Sequence, residues 1–333
     1  MSRMYEREIK TLSSLPYKWD RLNGKTILIS GGTGLIGSLF LDVLRERNCK
    51  FGQHIRAICL SRSPKNSDET VIYRAADVKK KFEIEESCDY CIHLASNTHP
   101  KQYAEDPVGT IETNLLGCLN LLELCRARGG VSRFLLASSV EIYGDGDGVP
   151  MKEDFCGKID CNTARAGYNE SKRLCESLVQ SYRVQFGLDC TVARFARCFG
   201  YTERQDTKAG AQFIEKAVRG EDIVLKSAGK QRFSYCYAAD AVSGMIAVLL
   251  EGADGEAYNV SGDDEGKTLG DYAALIASFA GRNVVFDFDP QKNLGVSTAG
   301  YAVLDCSKLK SIGWRPLWTV SRALYETYLK YKH

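Results

Sequence analysis

The fold is decided by one stretch of the sequence, Thr26-Ile27-Leu28-Ile29-Ser30-Gly31-Gly32-Thr33-Gly34-Leu35-Ile36-Gly37. Residues 26–30 are mostly apolar and predict a buried strand, and a helix is predicted at 35–48. The glycines between them are spaced GxxGxxG: one permits a tight turn, the next lets backbone N–H groups approach a pyrophosphate, and the third lets the helix pack on the strand. The stretch predicts a dinucleotide-binding turn, with a plain tight turn as the alternative.

Short β-branched runs and longer helical patterns continue to alternate over the first two thirds of the chain. Strands are predicted at 54–60, 71–73, 90–94, 133–138 and 190–195, and helices at 109–128 and 168–186. Further helices are predicted at 209–219, 240–250, 269–280 and 320–331. This order predicts an α/β fold, a Rossmann-type doubly wound parallel sheet with a smaller C-terminal α/β substrate-binding cap.

Three regions follow from this organisation. Residues 1–22 are predicted to be an N-terminal extension, with a helix around residues 4–12. Residues 23–195 are predicted to form the dinucleotide-binding Rossmann domain with the catalytic residues. Residues 196–333 are predicted to be mainly the substrate-binding domain, with interleaved boundaries.

Composition argues against several classes of protein. The 333 residues are 44% hydrophobic and 26% charged, with a formal net charge of +2, as in soluble globular proteins. No nucleic acid or membrane partner is expected, because bulk positive charge is lacking and no apolar run approaches the ~20 residues of a membrane span. With no secretory leader, the 13 cysteines are expected to be free thiols in a cytoplasmic protein. The one CxxC, Cys88 to Cys91, lacks a second pair or clustered histidines, so no metal site is predicted.

The end of the second predicted strand bears on the choice between NAD and NADP. An acidic residue there bonds the ribose hydroxyls of NAD, whereas an arginine accommodates the 2′-phosphate of NADP. The strand ends in Ser61-Arg62 and has no acid. Arg62 therefore favours NADP, with a solvated arginine and NAD as the alternative. Asp77-Val78, after the third strand, is placed to contact an adenine amino group.

Tyr168 and Lys172 lie at positions i and i+4 of a predicted helix, on one face. A tyrosine with a pKa of ~10 is a poor base at neutral pH, and a neighbouring ammonium favours the phenolate. Such a phenolate accepts the proton of a substrate hydroxyl while hydride leaves the same carbon for a nicotinamide. Ser139 ends the strand at 133–138 and is placed to bond the same hydroxyl. These residues predict a dehydrogenase-type site.

Several motifs occur in one order over about residues 23–330. They are GGTGLIG (31–37), HLAS (93–96), TNLLGCLNLLE (113–123), SSVEIYG (138–144), YNESK (168–172), ARFARCFG (193–200) and LDCSKLKSIGWRP (304–316). As a set they resemble the extended short-chain dehydrogenase/reductase superfamily, in its NAD-dependent epimerase/dehydratase family. The segments 95–114 and 164–173 are most similar to UDP-glucuronate decarboxylases.

The resemblance implies a nucleotide-diphosphate sugar as substrate and transient oxidation of its C4 hydroxyl, with Tyr168 as base. It implies cofactor contacts from four further residues, namely Leu94, Ala95, Ser96 and Asn114, besides Tyr168 and Lys172. It places Glu141 where decarboxylases and dehydratases carry a catalytic Glu, with an inert acid as the alternative. His99 and Ser139 are expected at the substrate, and a homodimer is expected through the helices at 109–128 and 168–186.

Some positions depart from the family's pattern. Val140 stands where dehydratases have Asp and decarboxylases usually have Ser, and Arg197 stands where an Asn commonly contacts the substrate. The family's nucleotide-contacting arginine aligns with Phe233, one residue after Arg232. Arg197 and Arg232 are therefore predicted to bind the substrate in place of the missing contacts, with structural or surface arginines as the alternative.

Other functions remain open at the level of sequence. A simple 4-epimerase of nucleotide sugars uses the same first step. An NADP-dependent carbonyl reductase that exchanges its cofactor has the same fold, and Ser61-Arg62 supports it. A non-catalytic dinucleotide sensor is the third alternative, because a fold alone does not fix function.

Overall fold

The structure, a computed structural model, describes residues 3–98, 105–202, 208–263, 266–287 and 300–332. Its helices are α1 (Arg3–Ser13), α2 (Leu35–Phe51), α3 (Pro107–Arg128), α4 (Ala166–Phe186), α5 (Ala209–Val218), α6 (Ala238–Glu251), α7 (Leu269–Ser278), α8 (Ser307–Ser311) and α9 (Val320–Lys332), with 3₁₀ turns at Trp19–Leu22 and Val140–Tyr143. Its strands are β1 (Thr26–Ser30), β2 (Arg56–Ser61), β3 (Val71–Ala75), β4 (Tyr90–His93), β5 (Arg133–Ser139), β6 (Cys190–Phe195), β7 (Arg197–Phe199), β8 (Ile223–Leu225), β9 (Arg232–Phe233), β10 (Tyr235–Tyr237), β11 (Ala257–Val260), β12 (Lys267–Thr268), β13 (Val284–Phe286) and β14 (Tyr301–Ala302).

Seven strands form one sheet in the order β11-β6-β5-β4-β1-β2-β3, and every neighbouring pair in it is parallel. Side chains alternate between its faces. Ile27 and Ile29 of β1 pack in the apolar cluster that includes α2 and α6. Leu28, between them, packs in a second cluster with α3 and α4. Helices therefore cover both faces, which confirms the predicted doubly wound Rossmann-type sheet.

The later part of the chain builds smaller sheets beside the main one. β7 pairs with β10, β9 lies between β12 and β14, and β8 pairs with β13. Helix α5 packs against α7 and α9 in this region. The chain also returns to the main sheet, since β11 pairs with β6 and α6 packs against α2. Residues of β7, β9 and β10 lie at the same cleft as the carboxyl ends of the main strands.

The first residues of the chain pack into the main core. Helix α1 lies against α2 and α6, and Leu12, Trp19 and Leu22 are buried in the cluster on that side of the sheet. The buried Glu8 accepts a hydrogen bond of 2.5 Å from the hydroxyl of Tyr237. The ammonium of Lys330 lies 3.9 Å from the same carboxylate. The predicted N-terminal extension is thus joined to β10 and α9.

A buried carboxyl at the start of α6 makes stability depend on pH. Asp240 is fully buried, and it accepts backbone hydrogen bonds of 2.6 Å from Leu317 and 3.4 Å from Trp318. Burial raises its pKa to about 7, against the effect of those two bonds. The folded protein therefore holds this proton over a pH range in which the unfolded chain has released it.

The free energy of unfolding is expected to fall as the pH rises from about 4 to about 7, by up to about 1.4 kcal/mol per pH unit from Asp240 alone. Its contribution is full below the pKa of the unfolded chain and is lost as the pH rises through the folded pKa. Urea unfolding of the wild type and of Asp240→Asn between pH 4 and pH 8 measures this, because only the wild type carries the contribution. Parallel pH profiles of the two proteins would contradict it.

Candidate active site

A cleft of about 850 Å³ opens at the carboxyl ends of β1, β2, β4, β5 and β6. In a parallel sheet these ends share one edge, which is where open α/β sheets bind ligands. Most of the site residues indicated by the sequence line this cleft: Gly31, Thr33, Gly34, Leu35, Ile36, Gly37, Ser61, Arg62, Asp77, Val78, Leu94, Ala95, Ser96, Ser139, Glu141, Tyr168, Lys172 and Arg197.

The glycine turn at one end of the cleft leaves room for a bound anion. Gly31 has a φ of 75°, and a Cβ there would lie 2.7 Å from the backbone nitrogen of Ala95. A Cβ at Gly37 would lie 2.5 Å from the carbonyl oxygen of Gly31, so α2 packs directly on the turn. Among the residues that the structure describes, no side chain caps α2, and its first turn carries no acid. Its first N–H groups and the positive end of its dipole face the cleft.

The ends of β2 and β3 form the adjoining part of the cleft. The Ser61 hydroxyl donates to the Ser63 carbonyl at 3.0 Å and accepts from the Ser63 N–H at 3.2 Å, which closes the turn after β2. The exposed Arg62 stands at the mouth. Asp77 accepts a hydrogen bond of 3.1 Å from the N–H of Lys79. Arg62 and Asp77 are thus brought together with the glycine turn.

Tyr168 and Lys172 are buried on α4 and face the cleft from the side of β5 and β6. The Lys172 ammonium donates to the carbonyl of Ala137 at 2.8 Å, which anchors it at β5. Burial lowers the pKa of Lys172, and the thiols of Cys175 and Cys118 and the carboxylate of Glu176 oppose this. Ser139, at the end of β5, accepts a hydrogen bond of 3.3 Å from the Glu141 N–H and so sits at the start of the following 3₁₀ turn.

Glu141 lies between two arginines. Its Oε2 is 3.3 Å from Nη2 of Arg165, and its Oε1 is 3.5 Å from Nη2 of Arg197. The guanidinium of Arg197 also lies over the ring of Phe233, 3.9 Å from its centroid. The sequence reasoning did not assign Arg165 or Phe233 to the site. The sequence could have indicated Arg165, because it precedes Tyr168 by three residues and lies in the segment 164–173, which resembles UDP-glucuronate decarboxylases.

Asn114 does not line the cleft, although a cofactor contact was expected from it. It is fully buried on α3, where its Oδ1 accepts from the Ser96 hydroxyl at 2.6 Å and its amide donates to the Ser171 hydroxyl at 2.9 Å. Both ends of the side chain are used within the protein. Asn114 therefore positions Ser96 and α4 from behind.

One expected substrate contact, Arg232, does not line the cleft. Arg232 is exposed and outside the cleft, whereas its neighbours Gln231 and Phe233 line it. Successive side chains of a strand point to opposite faces, so Phe233 takes the inward direction and Arg232 the outward one. His99 lies outside the described residues. Of the two arginines predicted to bind the substrate, the structure brings only Arg197 to the cleft.

The turn around Gly31 fits the pyrophosphate of a dinucleotide, because side-chain bulk is excluded there and unpaired N–H groups face the space. A proton acceptor beside a lysine lies at the other end of the same cleft. The fold and the cleft define a Rossmann-fold enzyme that uses a nicotinamide dinucleotide.

Comparison with known proteins identifies the family. The NAD dependent epimerase/dehydratase family matches residues 27–261, and the chain belongs to that family. It is similar to UDP-glucuronic acid decarboxylase 3 of Arabidopsis thaliana, at 35% identity over 72% of this chain and 70% of that protein. It is also similar to UDP-glucuronic acid decarboxylase 1 of Danio rerio, at 30% identity over 91% of this chain and 72% of that protein.

A solved structure agrees with this assignment. The UDP-glucose 4-epimerase of Thermus thermophilus, in complex with NAD, has a TM-score of 0.74 at 25% identity, covering 92% of this chain and 99% of that one. Over the residues that the structure describes, no helix has both the length and the apolar character to cross a membrane. No group of three or more His, Cys, Asp or Glu suited to a metal ion occurs within the same ranges.

Proposed function

We propose that this protein converts one nucleotide-diphosphate sugar into another through a transient 4-keto sugar, and that its reaction is the decarboxylation of a UDP-linked glucuronic acid. The observation that carries the proposal is the meeting of Tyr168, Lys172 and Glu141 with the glycine turn in one cleft. The names of the relatives in the same family support the choice of sugar.

The chemistry of each residue determines its role in the reaction. The turn around Gly31 would hold NAD or NADP, which would supply a reversible acceptor for the hydride of the sugar carbon. Tyr168 takes the proton of the C4 hydroxyl, Lys172 stabilises the phenolate, and Ser139 holds the oxygen. Once C4 is a ketone, the electron pair left by departing carbon dioxide is delocalised into its carbonyl group. Glu141 is the acid–base group of that second step, and in its protonated form it gives a proton to the carbon that has lost the carboxylate.

The test is the mass of the products formed from a panel of nucleotide sugars by the purified protein with its dinucleotide. Loss of carbon dioxide from UDP-glucuronate is expected. Loss of water from a UDP- or dTDP-hexose would indicate a dehydratase. Unchanged mass with an inverted C4 in the NMR spectrum would indicate the second candidate, a 4-epimerase, which the Thermus neighbour favours. Steady oxidation of NADPH by simple ketones would indicate a carbonyl reductase.

We propose further that the cofactor site accepts NADP at least as well as NAD, because β2 ends at Ser61 and is followed by Arg62 and not by an acid. Calorimetric titration of both dinucleotides is expected to show this. Arg62→Ala is expected to weaken NADP binding about tenfold, since one charged contact to the 2′-phosphate is lost, and to leave NAD binding unchanged. Equal effects on both dinucleotides would contradict a role at the 2′-phosphate.

We also propose a cytoplasmic homodimer that pairs through α3 and α4. These helices pack against each other and expose apolar side chains, among them Ile111, Leu116 and Leu174. Leu174→Glu is expected to shift the protein from dimer to monomer in sedimentation experiments, because a charge would be buried at the interface. Leu317→Glu is the matched control, since Leu317 is 42% exposed and Leu174 is 46% exposed. A wild type that is monomeric at high concentration would contradict the proposal.

A further inference from the structure

The carboxylate of Glu141 forms long ion pairs with two arginines. Its oxygens lie 3.3 Å from Arg165 and 3.5 Å from Arg197, whereas strong guanidinium–carboxylate bonds are about 2.7–2.9 Å long. Its side chain is 16% exposed, and those of the two arginines are 23% and 22% exposed. Two positive charges face one negative charge, so these three side chains together bring a net positive charge to the cleft.

Phe233 holds Arg197 in place. The guanidinium lies 3.9 Å above the centroid of its ring, an arrangement in which a cation is attracted to the aromatic face. The ring itself is fixed, because Phe233 is buried and packs edge-on against Tyr235, with ring centroids 5.5 Å apart. Arg197 is therefore oriented before any ligand binds, and little side-chain entropy is lost when it contacts one.

The charge lies at the reacting end of the cleft. Glu141 follows Ser139 by two residues, and Arg165 precedes Tyr168 by three. The glycine turn and Arg62 lie at the ends of β1 and β2, on the other side of β4 in the sheet order. This positive charge is thus separate from the part of the cleft that fits the dinucleotide.

We infer that Arg165 and Arg197 recognise a carboxylate on the reacting sugar, and that Glu141 occupies their place until the substrate displaces it. The inference rests on the proposed function and assigns the residues that recognise the acid on the reacting ring. A guanidinium binds a carboxylate through two parallel hydrogen bonds. Arg197 is then the residue that determines specificity, and Glu141 is an internal competitor that weakens binding of the acid.

The experiment is calorimetric titration of the NAD-saturated protein with UDP-glucuronate and with UDP-glucose, which share the diphosphate and differ in the carboxylate. Every protein compared carries Tyr168→Phe, so that binding is measured without turnover. Arg197→Met is expected to weaken UDP-glucuronate binding about tenfold to a hundredfold and UDP-glucose binding by less than about threefold. Glu141→Gln is expected to strengthen UDP-glucuronate binding about tenfold and to leave UDP-glucose binding unchanged. Arg219→Met, which removes an exposed positive charge directly after α5, is the control and is expected to change neither.

Each other outcome overturns the inference. If Arg197→Met weakened the binding of both ligands equally, the arginine would contact the diphosphate. If it weakened the binding of neither, Arg197 would not contact the substrate. Weaker binding of UDP-glucuronate by Glu141→Gln would show that Glu141 assists the binding of the acid and does not compete with it. A misfolded variant would not show the expected increase in affinity. Binding of neither ligand by the protein that carries Tyr168→Phe alone would contradict the proposed function itself, whereas binding of both without discrimination contradicts only the role of the arginines.

Discussion

Replacing Tyr168 by phenylalanine is expected to lower kcat for the sugar conversion by about a thousandfold or more. The variant keeps the ring that packs in the cleft and loses only the hydroxyl, so the proton of the C4 hydroxyl has no acceptor. A positioned acid or base contributes about 10²–10⁴-fold to the rate. Folding is expected to change little, because one buried hydroxyl contributes about 1 kcal/mol.

Product formation by mass spectrometry measures the loss, and the titration of UDP-glucuronate into the same variant checks that the cleft is intact. Ser171→Ala is a matched control on the same helix, since Ser171 also carries a buried hydroxyl, bonded to Asn114 and to the carbonyl of Tyr168. Its rate is expected to fall far less. Full activity of Tyr168→Phe would refute the assignment of the base.

Replacing Glu141 by glutamine is expected to lower the loss of carbon dioxide by about a hundredfold or more while oxidation of the C4 hydroxyl continues. Glutamine has the size of glutamate, but it cannot ionise, so the second step loses its acid–base group. The ion pairs to Arg165 and Arg197 are partly exposed, and such pairs contribute little to stability. A catalytic loss is therefore expected with a nearly unchanged unfolding midpoint.

A single-turnover experiment separates the two steps. Mixing the variant with UDP-glucuronate is expected to raise the absorbance of reduced nicotinamide and to hold it there, because the 4-keto sugar accumulates. In the wild type the same absorbance is expected to rise and fall within one turnover. Turnover of Glu141→Gln at the wild-type rate would instead favour simple 4-epimerisation, which has no need of this carboxylate.

The main sheet was predictable because its strands are buried on both faces, and β6 has the predicted bounds of 190–195. Side-chain hydrogen bonds explain why other elements begin at residues that differ from the predicted ones. β2 begins at Arg56, two residues late, because the N–H groups of His54 and Ile55 bond to Asn23 and Asn48 and not to the sheet. Helix α3 begins at Pro107, two residues early, because Asp106 accepts from the N–H of Gly109.

The glycine turn and the Tyr168–Lys172 pair were predictable because they lie within short local motifs. The positions of Asn114, Arg197 and Phe233 depend on contacts between elements far apart in the chain, which spacing does not reveal. Asn114 belongs to a motif, but the motif does not reveal that its buried side chain links α3 to α4. Phe233 has no polar side chain to draw notice, although its ring fixes Arg197, one of the two arginines beside Glu141.

That link at Asn114 has a practical consequence. The helices that it joins behind the cleft are the same two that carry the exposed apolar side chains Ile111 and Leu174. In the homodimer proposed above, a compound that separates the two copies is expected to loosen the packing of α4. Such a compound would not compete with the nucleotide sugar for the cleft. Raising the substrate concentration would not relieve the inhibition, which would appear as a lower maximal velocity.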